Sequence, residues 1–63
     1  MVYYVEFVHN KEGYVVQSVF FNTVDEASLW LSSNIRFIDY SISVFIMRYD
    51  KNTHKAEVEK EVL

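Results

Sequence analysis

Thr23-Val24-Asp25-Glu26-Ala27-Ser28-Leu29-Trp30-Leu31-Ser32-Ser33-Asn34 is the one stretch of this chain that reads as a helix, and its placement decides the fold. The start is marked chemically. Thr23 can accept a backbone N–H of the first turn, while Glu26, three residues on, can reach back to the Thr23 N–H. Asp25 and Glu26 place negative charge at the positive end of the helix dipole. At 100° per residue Val24, Ala27, Ser28, Leu31 and Ile35 fall in one arc, which predicts the buried stripe. Trp30 lies at its margin, and Leu29 points the opposite way among Asp25, Ser32 and Ser33. Asn34 suits a left-handed terminator. Ile35 to Tyr40 reads as a short mixed connector, although no Gly or Pro forbids a further turn through Ile38.

Outward from the helix the residue pattern becomes that of strands. Val2 to His9 is rich in β-branched and aromatic residues, Asn10-Lys11-Glu12-Gly13 supplies a turn with Gly13 in the left-handed position, and Tyr14 to Phe21 returns. Pairing Asn10 with Tyr14 sets Phe7 against Gln17, Val5 against Val19 and Tyr3 against Phe21. The opposite face of this hairpin then carries Val2, Tyr4, Val8, Tyr14, Val16 and Phe20, broken only by Glu6 beside Ser18. After the connector, Ser41 to Tyr49 alternates Ser43, Phe45, Met47, Tyr49 against Ile42, Val44, Ile46, Arg48. Asp50 to His54 turns the chain, with Asp50 and Thr53 able to satisfy local backbone groups. In Lys55 to Val62, Ala56, Val58 and Val62 face one way and Lys55, Glu57, Glu59 and Glu61 the other. With Asp50 opposite Lys55, Arg48 lies across from Glu57.

The expected fold is therefore α+β, a β-β-α-β-β chain forming one domain over residues 1–63. A right-handed crossover places the third strand beside the first, giving a four-stranded antiparallel sheet of order 2-1-3-4 with one helix on one face. Charge on the fourth strand blunts one sheet edge. The second strand has no charge, which predicts that its edge is covered.

Composition bounds function. Sixty-three residues bury a thin core, and no cysteine is present to staple it. Yet the chain is 51% hydrophobic and 17% aromatic, too apolar for a disordered segment. Excess apolar surface on a small body predicts a second body, most economically a homodimer through Tyr4, Val8, Tyr14, Val16 and Phe20. The formal charge is −3 and the basic residues are scattered, which argues against direct nucleic-acid binding. No apolar run approaches the roughly 20 residues of a membrane span, and Met1 to Glu6 lacks a basic leader region. A cytoplasmic protein is expected, in the host cell if the source is a phage.

Enzymatic chemistry is not expected. There is no cysteine nucleophile, the single glycine excludes a glycine-rich phosphate loop, and the two histidines sit at opposite hairpin tips. No metal site or cofactor is expected. Ser28, Ser32 and Ser33 have no base in reach and read as small helix positions. Glu57, Glu59 and Glu61 recur at steps of about 6.8 Å on one strand face, which echoes alternate phosphates of DNA but is also what edge protection produces. Leu29 and Trp30 are candidate partner contacts, since Trp anchors binding surfaces; the plainer reading makes Trp30 the margin of the core.

Tyr3-Tyr4, then Gly13-Tyr14-Val15-Val16, then Val24-Asp25-Glu26-Ala27 resembles the opening of HicB-type antitoxins, which begin with a similar hairpin and helix. That family's Pro-rich strand and DNA-binding tail are missing here, so its function is not carried over. Size, acidity and aromatic richness resemble small bacteriophage accessory proteins, many of which bind and disable a host enzyme. The resulting expectation is a non-enzymatic protein-binding module acting on a host protein. A self-assembling structural module, an acidic DNA mimic, and a ligand-binding domain with an aromatic pocket between helix and sheet are the alternatives.

Overall fold

The computed structural model describes residues 1–34 and 41–62. The connector expected over 35–40, with its optional extra helical turn, lies outside the described residues. The elements are β1 (Val2–His9), β2 (Val15–Gln17), α1 (Val24–Asn34), β3 (Ile42–Asp50) and β4 (Lys55–Glu61). They form a four-stranded sheet of order β2-β1-β3-β4, every pair antiparallel. The topology is the one the sequence predicts.

Helix α1 begins as its sequence dictates. The Glu26 N–H donates to Thr23 Oγ1 at 3.1 Å, but the Glu26 carboxylate reaches one residue further back, to the Asn22 N–H. Ala27 and Leu31 are buried on the sheet, and Leu29 is 72% exposed. At the other end the Asn34 side chain donates to the Trp30 carbonyl at 2.7 Å, supplying a partner to one of the last carbonyls. Beneath the helix, β1 and β3 contribute Val5, Val44 and Ile46, which with Ala27 and Leu31 make the core. Tyr3, Phe7, Phe21, Val24, Trp30, Ile42 and Val62 pack around it.

Two irregularities change which residues share a face. The first hairpin pairs Phe7 with Val16 and Glu6 with Gln17, one residue away from the expected register, because His9 rather than Asn10 bonds Tyr14 across the turn. Gly13, at φ +78°, closes that longer loop. The expected register returns only at the Tyr3–Phe21 bridge. Between the two registers the Ser18 hydroxyl accepts the Val5 N–H at 2.8 Å, while the Ser18 N–H donates to the Val5 carbonyl at 2.9 Å. A side-chain oxygen thus takes the position of a backbone carbonyl. The strand expected over Tyr14 to Phe21 is accordingly shortened to Val15–Gln17.

The second irregularity is a bulge in β4. Between Ile46 and Met47 the partner moves from Lys60 to Val58, leaving Glu59 as the extra residue. The bulge reverses the alternation. Val62 joins the core instead of sharing a face with Val58, and Glu61 lies opposite Phe45, on the face away from the helix.

Candidate functional site

Helix α1 lies on one side of the sheet. The side chains of β1 and β3 that alternate with Val5, Val44 and Ile46 form a second, open face on which no other helix or strand of the described residues packs, although Tyr4 and Met47 are themselves buried there. Pairing fixes its rows. Tyr4, Met47 and Val58 lie side by side across three strands, as do Val2, Tyr49 and Ala56. The next row along the strands is Gln17, Glu6, Phe45 and Glu61. Phe20, released from the ladder after Ser18, comes down onto the same face. Its ring meets Tyr4 edge-on at 5.6 Å between centroids and stacks on Tyr49 at 5.7 Å. Tyr4 is only 7% exposed under this cover, whereas Phe20 itself is 59% exposed. Burial, and then the neighbouring Glu6 and Tyr49, hold the Tyr4 phenol above its ordinary titration value.

The residues expected to form one dimer or partner face are therefore divided. Tyr4, Val8 and Phe20 belong to the open face. Val16 pairs with Phe7 and Tyr14 stacks on His9 at 4.8 Å, which puts both on the helix side. There they line a groove of about 300 Å3 with Phe7, His9, Trp30, Asn34 and Ile42. This is the aromatic concavity anticipated between helix and sheet. The register change moves Tyr14 and Val16 into it; a sequence reading that counts the turn one residue short cannot place them there.

Trp30 packs on Phe7 and Phe21 at 6.1 and 6.0 Å and borders the groove, while Leu29 lies on the outer side of the helix. Neither reaches the open face. Phe45, Met47, Tyr49 and Val58, which do form that face, follow from the alternation of β3 and β4 once the helix is assigned to the Val44 and Ile46 side.

The acidic row does not exist as one surface. Glu57 and Glu59 both turn to Arg48, at 2.6 and 3.4 Å, and hold its guanidinium above its ordinary value, Glu57 through a hydrogen bond and Glu59 through its charge. Glu61 is on the opposite face of the sheet, because the Glu59 bulge intervenes. Three carboxylates at even spacing on one face, the premise of phosphate mimicry, are replaced by a clamp and a separate acid.

The histidines are at opposite ends of the sheet: His9 pairs with Ile42 at the start of β3, and His54 follows Asp50 at its end. His54 sits at φ 57°, with Nδ1 3.1 Å from the Tyr49 hydroxyl. Among the described residues no three His, Asp or Glu side chains gather in a cation-binding geometry, and no helix is long and apolar enough to cross a membrane. Compared with protein-family models, curated proteins and solved structures, the chain matches none significantly.

Proposed function

We propose that this chain is a non-enzymatic protein-binding module and that the open sheet face is its binding surface. The observation that carries the reading is an apolar patch in which Phe20 and Val58, both more than half exposed, lie among Tyr4, Phe45, Met47 and Tyr49, on the side of the sheet opposite the one helix of the described residues. Apolar patches of this kind on small bodies are where association occurs, since removing them from water contributes roughly 25 cal/mol per Å2. The aromatic content suits the task, because Tyr and Phe bring large contact area at small entropic cost. Size and composition supply the expected setting, a mobile-element accessory protein acting on a host protein in the cytoplasm. The homodimer expected from composition would occupy the same face.

The test compares capture from a bacterial lysate by the parent chain, Phe20→Ser and Leu29→Ser. A partner retained by Leu29→Ser and lost by Phe20→Ser supports the open face. A partner held equally by all three variants removes that face from function.

A further inference from the structure

The charges on the two faces of the sheet are distributed unequally. Arg48, Lys55 and Lys60, the cations of the strands, all lie on the helix side, paired with Glu57, Asp50 and Ile46 respectively. On the open face the described strand residues carry Glu6 and Glu61 and no Lys or Arg. These two acids flank Phe45 from the neighbouring strands. Two interstrand steps separate them by roughly 10 Å. That is about the diameter of an α-helix with its side chains, 10–12 Å. Glu6 is also steadied: its Oε1 accepts from the Gln17 side chain at 3.2 Å.

From this geometry we infer that the open face receives an amphipathic helix of another protein, its apolar stripe flanked by Lys or Arg. The inference rests on the binding reading above. Lying along β3, such a helix sets its apolar side chains on Phe45 and between the exposed Phe20 and Val58, above the buried Tyr4 and Met47. Basic side chains at the two margins of the stripe extend outward over their aliphatic stems and meet Glu6 on one side and Glu61 on the other. The sheet already holds α1 on its far side through Ala27 and Leu31, and the partner completes a three-layer sandwich. A second copy of this chain fits less well. It would bring its own Glu6 and Glu61 to the interface, adding carboxylates where the face needs cations.

The experiment uses synthetic amphipathic helices of about four turns, with one leucine stripe and margins of Lys, Gln or Glu. Binding to the intact chain is followed by anisotropy at low and high salt, beside sedimentation of the protein alone. The Lys peptide is expected to bind best and to weaken with salt, and the Glu peptide to fail. Glu6→Gln with Glu61→Gln is expected to weaken the Lys peptide about three- to tenfold, as rim ion pairs do. Glu57→Gln with Glu59→Gln, on the other face, is expected to leave it unchanged. Equal binding of all three peptides, or equal effects of the two glutamine pairs, overturns the charge match. A dimer of the free protein that Phe20→Ser dissociates overturns the occupant while preserving the binding surface. A monomer that takes up no peptide, with Phe20→Ser indistinguishable from the parent, overturns both.

Discussion

The helix-covered face and the open face are made by the same strands and drawn from the same apolar alphabet, yet they end in different conditions. On one, Val5, Val44 and Ile46 are sealed from water; on the other, Tyr4 and Met47 are buried but Phe20 and Val58 remain more than half exposed. The difference is made by α1, which reaches over β1 and β3 but leaves β4 beyond its margin. Alternation of apolar residues shows that a strand has two faces, and only the covering layer decides which becomes core.

The largest expected effect is on the covered side. Leu31→Ala leaves a cavity among Val5, Val44 and Ile46 and is expected to cost about 2–5 kcal/mol, enough to unfold a domain of this size. Trp30, packed on Phe7 and Phe21, gives the fluorescence signal for the denaturant titration. A Leu31→Ala transition coincident with the parent's would contradict the covered face as core.

Ser18→Ala removes the oxygen that accepts the Val5 N–H, at a residue fully buried in the same core. An orphaned buried donor costs about 1–3 kcal/mol, and Ser18→Thr, which keeps the hydroxyl, is expected to recover most of it. Equal midpoints for Ala and Thr would show that the hydroxyl is not the bond that matters. Thr23→Ala, deleting the helix cap, is expected to cost about 1 kcal/mol in the same titration. The open face is expected to respond least: Phe20→Ser changes stability by less than about 1 kcal/mol, because its ring is largely wet already. A larger loss would mean that Phe20 belongs to the core and is not free to bind.

A pH titration sharpens the contrast within the open face. The Tyr4 phenol is held above its ordinary value of 10.0, so folding favours its neutral form. That contribution is fully present below about pH 10 and is lost as pH rises through the raised value. Alkaline destabilisation is therefore expected to be shallower in Tyr4→Phe than in the parent. Identical alkaline profiles would argue against the burial of Tyr4 beneath Phe20.

How far the sequence spoke can be judged from particular residues. Thr23, Glu26, Ala27 and Leu31 carry local chemistry and helical period, so the helix and its inner face were legible. Asp50 against Lys55 and Arg48 against Glu57 were legible because a short turn leaves few registers. Tyr14, Val16 and Glu61 were not, since each depends on an extra residue: a longer loop at Gly13, or the bulge at Glu59. A shift of one position exchanges the two faces of a strand, and on a chain with two apolar faces hydrophobicity does not oppose the exchange. The acids of the open face became visible only when pairing set Glu6 and Glu61 on either side of Phe45.

The hydroxyl of Ser18 has a consequence for life at high concentration. A strand that ends its ladder through a side chain, and then turns Phe20 out of plane, presents only Val15–Gln17 as a straight exposed edge. Three residues are too short a template for another chain to lengthen the sheet into a fibril, since such growth needs segments of about six or seven. An uncharged run from Tyr14 to Phe21, hazardous on paper, is thereby made safe by geometry rather than by charge. Evolution could thus keep its aromatic side chains for recognition without inviting polymerisation.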